Sequence, residues 1–274
     1  MMRAAVVGLV VGLAAMPFGF VSAQTYPSAR PVPRTTDAPA LRALAQRREI
    51  HERFTIGVDA EAHKRWSAAI PEFERIIALQ PPEPLGSTAR YDLAIAYANL
   101  HRYDQADAAL RAALVLDPGF LAAMANLIAV DLQRGDLRGA RGVADRFVQL
   151  APDSARALYS RGLVALSSGD AVTARDDFGK LLHDDPSYAV AHYDLGLAEE
   201  KLANFDTAVS EFDAALRLAP SYARARLALG AVFLHQGKRV EARAAFAQVV
   251  ANSNGDPSLR TLALALRDSI DAHR

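Results

Sequence analysis

The sequence predicts an all-α chain: about six helix hairpins stacked in series, with a further helix at each end. Three observations predict it. Pro118, Pro152, Pro186 and Pro220 close apolar segments (LVLDP, VQLAP, LLHDDP, LRLAP) and stand 34 residues apart. Between them, apolar residues recur at helical spacing in two bursts, separated by short turns at Gly135-Asp136, Gly169-Asp170, Ala203-Asn204 and Gly237-Lys238. Tiny and bulky residues also alternate at fixed places in the units. A period of this length, held several times, marks an array of supersecondary units that bury their apolar faces on one another.

Composition agrees and removes several function classes. Of 274 residues, 51% are hydrophobic and 23% charged, enough apolar matter to bury a core. Lys plus Arg and Asp plus Glu each count 31. No global basic field therefore draws nucleic acid phosphates or an anionic membrane. The absence of cysteine excludes disulfides, thiolate zinc sites, thiol nucleophiles and a cysteine-borne lipid anchor.

Residues 1–23 read as an export signal. Arg3 is a short positive start, Ala4–Ala15 an uncharged apolar core, Pro17 and Gly19 a helix break, and Val21-Ser22-Ala23 a small-x-small cleavage pattern. The mature chain is then expected to start at Gln24, in the periplasm or outside the cell, with no membrane contact after cleavage. The rival reading keeps Ala4–Ala23 as an uncleaved anchor, since this run approaches the roughly 20 residues that span a bilayer. Residues 24–38, rich in proline, serine and threonine, read as a flexible tether.

The helical array is expected over 39–274. Asp37 to Glu52 predicts a first helix, capped by Asp37, with Leu41, Leu44 and Ile50 on one side, and able to run on into the first hairpin. The hairpins are placed at about 50–83, 87–120, 121–154, 155–188, 189–222 and 223–256. Each turn glycine takes the left-handed conformation that satisfies the last carbonyls of the first helix. Each closing proline stops the second helix. Gly57, Ala94, Gly162, Gly196 and Gly230 lie midway along first helices. Ala69, Ala106, Ala140, Ala174, Ala208 and Ala242 lie early in second helices, and Phe73, Leu110, Phe178, Phe212 and Phe246 fill the gaps beyond them. A last amphipathic helix over 257–272 is a candidate cap for the end of the stack.

These residues resemble the tetratricopeptide repeat family. Leu195-Gly196, Phe205, Ala208, Phe212, Ala215 and Pro220 all fall where the family pattern asks, and the resemblance spans about Ile50 to Asn254. It implies a right-handed superhelical solenoid whose first helices line a concave groove. There are departures. Asp131 and Arg161 break the pattern with opposite charges in neighbouring units, and Ala144 replaces a large residue. The two charges either pair across the junction or both tilt to solvent.

The resemblance further implies a protein or peptide partner held in the groove, no cofactor and no enzyme activity. Tyr91, Tyr159 and Tyr193 occupy one place in their units, with Ile95, Leu163 and Leu197 one turn on. They would form an aromatic–aliphatic stripe, with Arg156 and Arg224 beside it and Lys201 further along. Asn126 and Arg156 alone fall on places where some members grip a peptide carboxylate. An apolar groove for an extended segment or amphipathic helix fits better. The other reading of the tyrosines is packing between neighbouring first helices.

Catalytic patterns are missing from the sequence. None of the seven histidines sits in a His-Glu-x-x-His pair, so a helical zinc hydrolase has no support. The stretch from Gly230 to Gly237-Lys238 has six intervening residues where a phosphate loop has four. No Gly-x-Ser-x-Gly elbow occurs. His192 and His235 fall in first helices as polar contacts, and Trp66 as a packing residue. Arginines of the second helices are interspersed with acids, so no basic stripe for nucleic acid forms. The function read from the chain is an exported adaptor in envelope or secretion complex assembly. The alternatives are a membrane-anchored scaffold and an accessory subunit of an enzyme complex.

Overall fold

The computed structural model describes residues 38–252 and 256–271, all in helices or the turns between them. The predicted signal, the tether up to Asp37 and the Asp37 cap lie outside these residues. The chain divides into two compact units, whose described parts are 38–143 and 144–271. The helices are α1 (Ala38–Ala62), α2 (Trp66–Ala78), α3 (Leu85–Asn99), α4 (Tyr103–Leu116), α5 (Leu121–Arg134) and α6 (Leu137–Leu150). They continue as α7 (Ala155–Ser167), α8 (Ala171–Asp184), α9 (Ala189–Lys201), α10 (Phe205–Leu218), α11 (Ala223–His235), α12 (Arg239–Asn252) and α13 (Pro257–Asp271). The boundary between units falls inside α6. Among the described residues no helix is long and apolar enough to cross a membrane.

In the first unit α1 runs unbroken for 25 residues. Ile50 is buried, but Leu41 and Leu44 are 48% and 46% exposed, which corrects the expectation of one shared apolar side. The reason is length. α2 has 13 residues, and its end is level with Gln46, whose amide donates to the Leu79 carbonyl. The earlier turns of α1 extend past the surface that α2 offers. The core of this unit gathers Phe73, Ile76, Tyr91, Leu110 and Leu127.

The small–large alternation has a direct steric cause. A Cβ built on Gly57 would lie 2.8 Å from Cε1 of Phe73. In the second unit the same clash recurs at Gly162 against Phe178 (2.6 Å), Gly196 against Phe212 (2.6 Å) and Gly230 against Phe246 (2.5 Å). Each phenylalanine puts one edge of its ring into the space a side chain would need, and each is fully buried. Ala94 and Leu110 hold these two places in α3 and α4, a slightly larger residue against a slightly smaller one. α13 packs on α12 through Leu259, Ala263 and Ile270, which join Phe246 and Val249 in one cluster. Arg239 donates to the Ile270 carbonyl at 2.9 Å and Arg243 pairs with Asp271 at 2.8 Å.

Gly135, Gly169 and Gly237 have φ of 75°, 83° and 73°, so the hairpin turn requires the left-handed region. Ala203 holds the same place with φ 62°. A side chain there costs roughly 1–2 kcal/mol against glycine, partly offset by the greater freedom of glycine in the unfolded chain. Ala203→Gly should therefore stabilise the protein by about 0.5–1 kcal/mol. Urea unfolding would register it; a midpoint unchanged or lowered would refute the strain.

Candidate functional site

Asp131 and Arg161 each find other partners: Asp131 meets Arg111 of the preceding hairpin and Arg134 of its own helix, and Arg161 meets Asp177 of its own hairpin. Asp131 is fully buried and accepts from Arg111 at 3.0 Å, with Arg134 at 3.4 Å. Arg161 clasps Asp177 of the same hairpin with two bonds, 2.7 and 2.6 Å. Both charges are thus structural, and neither tilts freely to solvent.

The tyrosines are also held by packing. In the second unit Tyr159 of α7 is 5% exposed and donates its hydroxyl to Asp194 of α9 at 2.9 Å. Its ring lies 5.4 Å from Tyr188 and 5.8 Å from Phe178. Tyr193 is likewise buried, 5.0 Å from Tyr222 and 5.9 Å from Phe212. In the first unit Tyr91 of α3 is buried, accepts from the Asn126 amide of α5 at 3.1 Å and lies with its ring 4.9 Å from that of Phe120, the two tilted by 39°. The same scheme is built twice: a first-helix tyrosine bonds a polar residue 35 positions on, in the next first helix. An aromatic residue 29 positions on covers its ring. Of the two readings of these tyrosines, packing between first helices describes the rings in each unit, since a tyrosine between helices buries its body and must satisfy its hydroxyl.

Around these rings the other predicted residues take different places. Leu163 is buried, Ile95 is half-buried against the first core, and Leu197 is half-buried against the Tyr193–Phe212 cluster. Asn126 is buried on Tyr91, while Arg156 and Arg224 are half-buried. Burial raises the Tyr188, Tyr193 and Tyr222 phenols, and Arg156 opposes the shift at Tyr188 as Arg224 does at Tyr193 and Tyr222. Lys201, in the last turn of α9, is exposed. Sequence reasoning missed Phe120, Tyr188, Tyr222 and Asp194. The recurrence of an aromatic residue 29 positions after each of the three tyrosines was the signal that could have found three of them. Half-buried Tyr188, Tyr222, Arg156 and Arg224 around buried Asp194 make an amphipathic surface of the kind protein interfaces favour. Among the described residues no group of three or more His, Asp or Glu is placed to hold a metal ion.

Three carboxyls, those of buried Glu61 and Asp194 and of half-buried Asp92, titrate high. Burial raises Glu61 to about 8, with the Asp92 carboxylate adding to it, and burial raises Asp92 and Asp194 to about 7. The Tyr159 hydroxyl opposes the shift at Asp194. For an acid raised on folding, the native state binds more protons than the unfolded one between its ordinary pKa near 4 and the raised value. Stability is then greatest at the acid end of that window and falls as pH rises towards 8. The full chain should lose on the order of a few kcal/mol between pH 5 and pH 8 in denaturant melts. Asp194→Asn should flatten that slope. A rise in stability over the interval would contradict the assignment.

This fold and surface define a helical-repeat protein built from stacked antiparallel hairpins. The chain belongs to the tetratricopeptide repeat family, whose model matches residues 54–119, 130–189 and 193–257. Family members generally act as protein-interaction scaffolds, and the fold is typically non-catalytic. No curated protein matches the sequence significantly. Solved structures are similar in backbone. A tetratricopeptide repeat protein from Parabacteroides merdae aligns over 82% of this chain and 87% of its own, at 18% identity and TM-score 0.72. A thermophilic relative from Thermus thermophilus aligns over 66% and 98%, at 21% identity and TM-score 0.56. YrrB, a repeat protein with an unusual peptide-binding site, aligns over 72% and 97%, at 19% identity and TM-score 0.58. At these identities the likeness concerns the fold.

Proposed function

We propose that this chain is an exported scaffold that holds a segment of a partner protein against its first helices, in the assembly of an envelope or secretion complex. The observation that carries the reading is the second-unit surface. Tyr188, Tyr222, Arg156 and Arg224 stand half-buried around a fully built Tyr159–Asp194 pair. Rings and guanidinium groups already held by neighbours lose little freedom on binding, which favours their use as anchors. The peptide-binding site of YrrB supports a peptide as the kind of guest. Export rests on residues 1–23, whose Arg3, apolar core and Val21-Ser22-Ala23 ending support a cleaved signal.

Photo-crosslinking from Tyr222 and from Lys201 in cells tests the scaffold. A defined protein should be captured at Tyr222, and the capture should be lost on Arg156→Ala plus Arg224→Ala in a chain that keeps its helical spectrum. No capture at either position would refute the reading. Sequencing of the mature N-terminus tests export separately: Gln24 as first residue supports it, and retained Met1 removes it.

A further inference from the structure

α1 begins with almost nothing beside it. Residues 41–48 are all exposed, and among the described residues their one side-chain bond outside the helix is that of Gln46 to the Leu79 carbonyl. Most helical stability comes from the packing of an apolar face, and here that face is bare. Leu41, Leu44 and Arg48 follow at spacings of three and four residues, so they share one face. Leu41 is 48% exposed and Leu44 46%. Gln46, which reaches α2, and Ile50, which joins the core, lie on the opposite face. Arg42 and Arg47 stand to either side of the leucines. No acid occurs from Ala38 to Arg48, and the first one, Glu49, is taken by Arg53 at 3.2 Å and Arg75 at 2.9 Å. Among the described residues Arg42, Arg47 and Arg48 join no ion pair. Uncompensated positive charge thus surrounds two bare leucines.

We propose that this end of α1 docks an acidic amphipathic helix of a partner protein. The leucine spacing selects a helix, because side chains three and four apart meet a second helix along one seam. Charge selects acid: glutamates or aspartates flanking the apolar stripe of that helix would meet Arg42, Arg47 and Arg48. Two other occupants are disfavoured on the same ground. The segment just before α1, residues 24–37, carries Arg30 and Arg34 against Asp37, a net of +1. A second copy of this chain brings the same three arginines to the seam again. The surface lies in the first unit and takes no residue from the second-unit anchors, so it is a separate contact with its own guest. The bare seam is short, about two turns, so the contact is weak by itself and sensitive to salt.

The probe is a fluorescein-labelled, hydrocarbon-stapled peptide of about three helical turns, with leucines three and four residues apart and glutamates beside them. Its control carries lysines in place of the glutamates. Fluorescence anisotropy with the full chain should show saturable binding of the glutamate peptide and none of the lysine peptide. Binding should weaken about tenfold or more between ~20 mM and ~500 mM sodium chloride. Arg47→Glu plus Arg48→Glu should reverse the choice, so that the lysine peptide binds and the glutamate peptide does not. Leu41→Gln plus Leu44→Gln should abolish binding with the circular dichroism spectrum unchanged, since neither leucine is buried. Equal binding of the two peptides, or no binding of either, would overturn the proposal. Tighter binding to phosphatidylglycerol vesicles than to the peptide, lost on the same leucine changes, would also overturn it and assign the surface to a membrane. A dimer in sedimentation velocity, lost on those changes, would overturn it in favour of a second copy. Crosslinking at Tyr222 reads the second unit, and its outcome is independent of this one.

Discussion

Phe212→Ala should lower stability by about 3–5 kcal/mol, the loss typical when a buried aromatic ring leaves a cavity. Phe212 is fully buried, and its ring edge fills the space beside Gly196 where a Cβ would lie 2.6 Å from Cε1. The converse change, Gly196→Ala, puts a methyl into that ring and should cost about 1–3 kcal/mol through overpacking. The decisive measurement is the double change Gly196→Ala with Phe212→Leu. It reproduces the pair that Ala94 and Leu110 present in the second hairpin. The double variant should be more stable than either single variant predicts, with a coupling of about 1–2 kcal/mol. Urea unfolding followed by far-ultraviolet circular dichroism gives all four values. Strict additivity would mean that the two positions do not share one space, and the steric account of the hairpin would fail.

Arg161→Ala should be the second most damaging change, at about 2–4 kcal/mol. Asp177 has a side chain 4% exposed and takes both of its short bonds from the Arg161 guanidinium. Removing the arginine strands a buried carboxylate. The figure lies toward the lower end for buried pairs because Arg161 itself is 30% exposed and water reaches its site. Combining Arg161→Met with Asp177→Leu should recover most of the loss, since replacing both charges removes the desolvation cost as well as the attraction. A single Arg161→Ala variant as stable as the parent would show that the pair contributes nothing. Failure of the double variant to recover would point to packing by the arginine stem.

The arrangement of α7 and α8 shows how far the sequence could be read. Proline intervals, turn glycines and the alternation of Gly162 with Phe178 are local signals repeated along the chain, and repetition removes the ambiguity of any single instance. They determined the fold class and the family. Arg161 stood out equally well as a departure from the pattern. Its partner did not, because Asp177 is 16 residues away on the second helix of the same hairpin and one of two adjacent acids, Asp176 and Asp177. Only the rotation of α8 decides which of them faces inward; Asp177 is buried and Asp176 exposed.

The candidate site divides the same way. Tyr91, Tyr159 and Tyr193 were legible as equivalent positions on first helices, since equivalence is a matter of spacing alone. Whether such a ring points into a groove or lies between two helices depends on the gap between neighbouring hairpins, and no spacing encodes that gap. In Tyr159 the gap admits the ring and leaves its hydroxyl on Asp194. Leu41 and Leu44 were legible as one side of a helix, and the length of α2 decided that nothing in it reaches them. By itself, then, the sequence determined the repeated hairpin, its turns and its small and large contacts, all set by neighbours within one period. The tertiary structure alone decided which acids are paired and which rings are covered. Those outcomes depend on distances between residues of different helices, where one turn of rotation exchanges a buried side chain for an exposed one.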